Sequence, residues 1–258
     1  MPHEFDGAKY RSASSHQEEW GIRLMDELQL RGDERILDLG CGDGRLTYRI
    51  AELAPDGFVT GIDSASGMIE AAMTHTRPNL LFRRLDILDL REVGEYDVIF
   101  SNAALHWVHD HQRLLAAAYQ ALRSRGVVRF NFAAEGNCSQ LIAVLHQVKS
   151  TSQFRRQFDG FDWPWYMPSV EAYSELVRNA PFRDARVWGE IADRYFPDVE
   201  AMTKWIDLPS LVPFLAHLPE ATRESFRNEV VDRMVDSCRQ ADGRCFERFR
   251  RINVLASK

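Results

Sequence analysis

Apolar and polar positions follow two different rhythms along this chain of 258 residues. Over residues 14–30, Trp20, Leu24 and Leu28 recur at helical spacing with Ile22 and Met25 beside them, which predicts an amphipathic helix. The short apolar run RILDLG then reads as a buried strand entering a turn. RLTYRIAELAP returns to helical spacing through Leu46, Ile50 and Leu53 and is ended by Pro55. The alternation continues. FVTGID predicts a second strand, SGMIEAAMTHT a helix with Ser64 or Ser66 as its N-cap, LLFRRLDI a third strand and YDVIFSNAAL a fourth. HQRLLAAAYQALR then predicts a helix and GVVRFNFAA a fifth strand. Strand and helix alternating as far as residue 133 predict a parallel sheet with helices on both faces. In such sheets ligands bind beyond the carboxyl ends of the strands, near the switch in strand order.

Beyond residue 134 the rhythm loosens. SQLIAVLHQVK and VEAYSELVRNA predict helices on either side of an aromatic, proline-rich loop, FDGFDWPWYMPS. ARVWGEIADRYF alternates and predicts one strand, VEAMTKWIDLPSLVPFLAHL is helical and amphipathic, and RFRRINVLASK closes as a strand. The expected organisation is an N-terminal helical cap over 1–30 and a cofactor-binding core over 31–134. Residues 135–258 would then hold the remaining strands with helical insertions that form a lid.

Composition narrows the partners. Apolar residues make up 45% of the chain, enough for a real core. A net charge of −6 and a pI near 5.8 give no broad basic face, so nucleic acid is not an expected partner. Arg244, Arg248, Arg250 and Arg251 read as the solvated face of a late element. The four cysteines form no C-x-x-C pair, which leaves neither a zinc ribbon nor a thioredoxin-like motif and suits a reduced, cytoplasmic protein. The polar start has no signal-peptide h-region, and no apolar run has membrane-spanning length, so no membrane partner is expected. His106, His109 and His111 do not share one helix face, so no metal is expected there, and His109 and His111 read as exposed residues of a helix start.

The chemistry concentrates in ILDLGCGDG. Gly40, Gly42 and Gly44 run G-x-G-x-G, unlike the dinucleotide fingerprint G-x-G-x-x-G. Asp38 stands just before the loop and Asp43 inside it, so a pyrophosphate over the next helix N-terminus would meet two carboxylates. A sulfonium with an amino-acid ammonium group would be stabilised there instead, as in S-adenosylmethionine. Asp63, ending the second strand, can accept from both ribose hydroxyls of either cofactor. Asp86, after the third strand, can accept from the adenine amine, with Ile87 and Met68 against the ring. Each of these acids can equally cap the helix that follows it.

ILDLGCGDG, GIDSASGMIEAA, LDILDL and YDVIFSNAALHWV, in that order, resemble class I S-adenosylmethionine-dependent methyltransferases. The resemblance implies an α/β, doubly wound, mostly parallel seven-stranded Rossmann-like sheet whose last strand is antiparallel, with a helical lid in the C-terminal half. It implies S-adenosyl-L-methionine as cofactor and S-adenosyl-L-homocysteine as product. Gly40, Cys41 and Gly42 would line the methionine part, Asp63 the ribose, and Asp86 and Ile87 the adenine, with Ser64 also among the cofactor-binding residues. Asn102 and Ala103 would lie near the methyl group. RSRG at 123–126 departs from the proline-glycine turn often found in the family, a change at a surface turn.

Within that family, SNAALHWVHDH is similar to trans-aconitate, juvenile hormone acid and malonyl-carrier methyltransferases, all of which esterify a carboxylate. KYRSASSHQ is similar to the first two of these groups, which implies that Tyr10 covers the cofactor and that Gln17 lies near both cofactor and acceptor carboxylate. Trp107 can offer its indole N–H to the same carboxylate, or simply pack under the next helix. Where the trans-aconitate group has Gly-Leu-Arg-Pro-Trp, this chain has Ser210, Leu211, Val212, Pro213 and Phe214. Replacement of the Arg by Val212 removes a carboxylate reader, and Val212, Phe214, Trp163, Trp165 and Tyr166 suit a more apolar acid. A carboxylate needs no base, being ionised near neutral pH. A phenol, amine or carbon acceptor would need one, and His106 is the candidate. The expected acceptor is a small molecule, the expected state a monomer or weak homodimer. A nicotinamide oxidoreductase is disfavoured by the loop charges, while a cofactor-binding regulatory protein without catalysis stays open.

Overall fold

The computed structural model describes residues 15–258, except for the side chains of residues 15–19 and 209. The chain divides into two compact units. One comprises the chain up to Glu135 with Trp165–Glu190 and Arg251–Lys258, the other Gly136–Pro164 with Ile191–Arg250.

The first unit is built on a seven-stranded sheet. In chain order the elements begin with helix α1 (Ser15–Glu27), strand β1 (Arg35–Leu39), α2 (Arg45–Leu53), β2 (Phe58–Asp63), α3 (Ser66–Ala72) and β3 (Leu80–Arg84). They continue with β4 (Tyr96–Asn102), α4 (His111–Ala121), β5 (Leu122–Ala133), α6 (Val170–Arg178), β6 (Arg183–Ile191) and β9 (Arg250–Ser257), the elements numbered between these belonging to the second unit. The sheet order is β3-β2-β1-β4-β5-β9-β6. Strands β1 to β5 are mutually parallel, and β9 lies antiparallel to β5 with Asn131 opposite Asn253. This is the seven-stranded, mostly parallel sheet expected from the alternation and the resemblance. Strand β1 is buried from Ile36 to Leu39 and β4 from Val98 to Ser101, as strands covered on both faces require. Helix α4 buries Leu114, Leu115, Ala118 and Ala121, one face at helical spacing, and its first turn is closed by the Asp110 carboxylate accepting from Arg113 N–H at 3.0 Å. Residues 123–126, expected as a surface turn, lie within β5, where the pairing with β4 shifts register and Arg125 has φ 67°.

In the second unit, α5 (Ser139–Lys149) is followed after β7 (Arg194–Phe196) by α7 (Val199–Trp205), α8 (Val212–His217) and α9 (Glu220–Cys238). The stretch expected as one strand is therefore two. Its first part, β6, joins the main sheet, and its end, β7, pairs antiparallel with β8 (Cys245–Glu247). Asp193 between them accepts from Phe249 N–H at 3.0 Å and pairs with Arg250, which turns the chain there. Glu247, buried on β8, accepts from the Gln140 and Leu141 amides at 3.2 and 3.0 Å and so caps α5 from outside its own sequence. Among the described residues no helix is long and apolar enough to cross a membrane.

Candidate active site

The strand order reverses between β1 and β4, which opens the crevice where open α/β sheets bind ligands. The glycine loop leaves β1 there. A Cβ on Gly40 would lie 2.2 Å from the Ala104 Cβ, so only glycine lets the loops after β1 and β4 meet. At Gly44 (φ 80°) a Cβ would meet Phe82 and Ala72 at 2.7 and 2.8 Å, which fixes the start of α2 against α3. Gly42 differs. Its φ is 56° and a Cβ there would meet nothing within 4 Å. The backbone is held in a left-handed conformation beside open space, the arrangement of a cradle that a side chain would fill.

Asp38 and Asp63 stand at this loop, and Asp86 follows the outer strand β3. Asp38, only 2% exposed, is held by the Thr47 hydroxyl donating at 2.7 Å. Burial pushes its carboxyl up to about 7, with the nearby Asp63 adding to the rise and the Thr47 hydrogen bond opposing it. Asp63 accepts from Gly42 N–H at 3.0 Å and from Ala65 N–H at 2.9 Å. It thereby ties the glycine loop to the end of β2 and opens α3, whose N-cap is Ala65. Neither Ser64 nor Ser66 is the N-cap that the sequence suggests, since α3 starts from Ala65 with no side-chain capping hydrogen bond. Asp86 is exposed and accepts from Leu88 N–H at 2.9 Å, capping a short 3-10 turn over Ile87–Asp89 while keeping lone pairs free for a further donor. Ile87 and Met68 are buried at 8% and 4% exposure. Asp43 is buried and paired with Arg45 at 2.8 Å, so the loop's charge rests on Asp38 and Asp63. Cys41 packs its thiol beside Ile69, Ala72 and Phe82, and burial with Asp63 and Asp38 nearby holds it protonated. Its backbone, with Gly40 and Cys41 amides both donating to Ile62 O, is what it contributes to the cradle. The loop therefore suits a ligand with positive charge near Asp38 and hydroxyls near Asp63, and resists a second anion.

Beyond β4, Ala103 has φ 56°, and the chain turns into a one-turn 3-10 helix, Leu105–Trp107. His111 holds this turn. It is buried at 2% exposure, its Nε2 bonded to Leu105 O at 3.0 Å and its Nδ1 to the Tyr173 hydroxyl at 2.9 Å, which overturns the expectation of an exposed helix-start residue; His109 is exposed as expected. Burial draws His111 down to about 4. His106 stands on the same turn with its Nδ1 buried and unbonded. Burial, with smaller contributions from Arg251 and His111, lowers it to about 3. Its carbonyl accepts from Tyr166 N–H at 2.8 Å, and Trp165 packs edge-on against Trp107 at 5.8 Å. His106, Trp107, Trp165 and Tyr166 are thus gathered in the first unit. Trp163 and Val212 belong to the second. Tyr10 and the Gln17 side chain lie outside the described residues.

Arg251, expected on a solvated face, is buried at 3% exposure. Its guanidinium bonds Asn131 Oδ1 at 2.8 and 2.5 Å and lies over the Trp20 ring at 4.4 Å. Asn131 in turn reaches Asn253 Oδ1 at 2.9 Å, which also receives Arg129 at 3.0 Å. This ladder of Arg129, Asn131, Arg251 and Asn253 went unseen in the sequence, although Arg and Asn at alternate positions of two strands carry its signal.

A family described as "Methyltransferase domain" matches residues 30–179, more than half of the chain. The chain belongs to this methyltransferase family. Trans-aconitate 2-methyltransferase of Acidovorax sp. (strain JS42) is 28% identical over 99% of both chains. Trans-aconitate 2-methyltransferase of Deinococcus radiodurans is 31% identical over 74% of this methyltransferase and 75% of that protein. Among solved structures, phosphoethanolamine N-methyltransferase 2 of Haemonchus contortus, in complex with S-adenosyl-L-methionine, shares the fold with a TM-score of 0.59 at 16% identity, over 93% of this chain and 52% of that one. The methyltransferase fold explains why every acid of the cradle stands at the carboxyl end of a parallel strand. Among the described residues, no group of His, Cys, Asp and Glu is arranged to hold a metal ion.

Proposed function

We propose that this methyltransferase uses S-adenosyl-L-methionine to esterify the carboxylate of a small, largely apolar acid. Three features support the cofactor: the open cradle at Gly42, the buried Asp38, and the fold shared with an enzyme solved with that molecule. When bound, S-adenosyl-L-methionine supplies an electrophilic methyl group on a sulfonium. Asp38 and the Gly40–Gly42 backbone would hold its amino-acid end, Asp63 with Ser64 the ribose, and Asp86, Ile87 and Met68 the adenine. Asn102 and Ala103 would border its methyl end.

The observation that carries the choice of acceptor is His106. A ring whose pKa is drawn to about 3 is too weak a base to deprotonate a phenol, amine or carbon acid near neutral pH. A carboxylate arrives already ionised and needs only to be aligned and kept from water. The side chains that would orient it are Gln17 and the Trp107 indole, with the neutral His106 ring 5.4 Å from that indole. Trp165 and Tyr166, in the same unit, would favour an apolar body. The relatives named as acting on trans-aconitate agree with an acid acceptor. The test is turnover with S-adenosyl-L-methionine across a panel of aliphatic, aromatic and polycarboxylic acids beside matched phenols and amines. Methyl esters formed from acids are expected. Methylation of phenols or amines with no ester product refutes the reading.

A further inference from the structure

Helix α5 ends on Lys149, and the ammonium of that residue is ringed by aromatic faces. Its Nζ lies 4.4 Å from the ring centroid of Phe161, 5.1 Å from Phe158, 5.2 Å from Trp163 and 5.9 Å from Phe214. All four rings and the lysine belong to the second unit. A lysine in the last turn of a helix commonly answers the helix dipole and extends into water. Lys149 instead folds into the rings, and burial alone lowers its pKa, with no carboxylate acting against that shift. Among the described residues no oxygen accepts a hydrogen bond from its Nζ, although an ammonium carries three N–H donors. Ring faces attract the charge but give no oxygen to those donors.

Two of the walls are buried and two are partly exposed. Phe158 and Phe214 are buried at 8% and 0% exposure, whereas Phe161 and Trp163 are only partly covered. Trp163 is stacked on His146 at 4.6 Å and 7° between planes. Phe161 packs edge-on against His217, whose Nε2 is bonded to Gln157 O at 2.8 Å. A cation held at one point by rigid apolar walls, with its hydrogen-bond donors unspent, is a preformed reader of a single negative charge on an apolar body.

We propose that Lys149, Phe158, Phe161, Trp163 and Phe214 form a binding site for the anion of an apolar carboxylic acid, the ammonium pairing with the carboxylate and the rings taking the apolar body. The site goes beyond the esterification proposed above, because its occupancy is defined by residues of the second unit and is measured without methyl transfer. Phenylacetate is the probe and phenylacetamide its uncharged counterpart. Each is titrated into the full-length protein saturated with S-adenosyl-L-homocysteine, while the indole N–H resonance of Trp163, assigned by its loss in W163F, is followed by NMR. Phenylacetate is expected to shift that resonance, and phenylacetamide to bind at least about tenfold more weakly, as the loss of a charge-assisted hydrogen bond implies. K149M should weaken phenylacetate by a similar factor, and K149R, which keeps the charge, should retain most of the affinity. Equal binding of acid and amide, unchanged affinity in K149M, or no shift of the Trp163 resonance overturns the proposal. The acid–amide comparison on the unaltered protein decides the matter even if a variant fails to fold. Failure of every acid to be esterified would refute the proposed activity and leave this binding result standing.

Discussion

Cofactor binding should be coupled to loss of a proton from Asp38. In the free protein its carboxyl titrates at about 7, because burial disfavours the charge and Asp63 stands nearby. A cationic ligand needs the carboxylate. If only that form binds, the apparent dissociation constant carries a factor of one plus ten to the power of pKa minus pH. That factor is about 1.1 at pH 8 and about 11 at pH 6, so affinity should fall roughly tenfold over this window. The Thr47 hydroxyl, 2.7 Å away, works against the upward shift. T47V should push the Asp38 pKa higher by about one unit or more, and so weaken binding at pH 7 by about fivefold or more. Calorimetry with S-adenosyl-L-methionine at pH 6, 7 and 8, in buffers of different ionisation enthalpy, reads both affinity and proton release. The ligand's own amino group also titrates, at roughly 7.7–8.0, but does so equally against D38N, so the ratio of the two proteins isolates Asp38. A ratio independent of pH, with no proton released near pH 6.5, would refute the argument and with it the role of Asp38 as the counter-charge.

Other outcomes follow from the same geometry. At saturating S-adenosyl-L-methionine, H106Q should lower the rate of ester formation by less than about tenfold and leave it flat between pH 6 and 8, whereas a general base would cost about a hundredfold or more and give a rise through its pKa; saturated rates against pH for both proteins decide. G42A adds a Cβ to open space at φ 56°, so it should destabilise the fold by only about 1–2 kcal/mol while abolishing measurable S-adenosyl-L-methionine binding. G44A meets Phe82 and Ala72 as well as the same backbone strain and should lower the melting temperature further; thermal melts and calorimetry on the pair test the difference. His111 is held neutral, with its pKa moved from 6.5 to about 4, so its contribution is complete above pH 6.5 and drains away as pH falls toward 4, by up to about 3 kcal/mol. Asp38 runs the other way, its folded pKa being raised, so ligand-free stability gains from it at low pH and loses as pH rises from about 4 to 7. Melting temperature against pH should therefore fall less steeply below pH 6.5 in H111F than in the unaltered chain, and an equal slope would count against the buried, neutral histidine.

The cofactor half of the molecule was legible because its constraints are local. A strand that is buried on both faces must be continuously apolar, and a loop that approaches another backbone must be glycine. Thus ILDLGCGDG announced the strand and its glycine loop, while the close approach of Gly40 to Ala104 emerged only from the fold. The acids at the strand ends were legible for the same reason, although what they bind internally was not. Asp63 was expected to face a ribose and also ties Gly42 to Ala65, and Asp86 also caps a turn. Capping and ligand binding use the same lone pairs, so residue type alone does not separate them.

The rest was hidden because it depends on partners far apart in the chain. ARVWGEIADRYF alternates throughout, yet its two halves belong to different sheets, a division made by Asp193 meeting Phe249 and Arg250 from the far end of the chain. His111 looked like a solvated helix start because its burial needs Tyr173, which lies more than 60 residues on. Arg251 looked solvated because charge is normally a surface property. It is buried because β9 runs antiparallel beside β5 and places Arg251 and Asn253 against Asn131 on one face of the sheet. That pairing also carries consequences for the chemistry. The Arg251 charge lowers the pKa of His106, so the strand that closes the sheet helps keep the site's nearest imidazole neutral. Loss of that charge in R251M should therefore raise the His106 pKa, readable by NMR titration of its ring. An unchanged value would mean that burial alone holds His106 neutral and that the closing strand has no part in it.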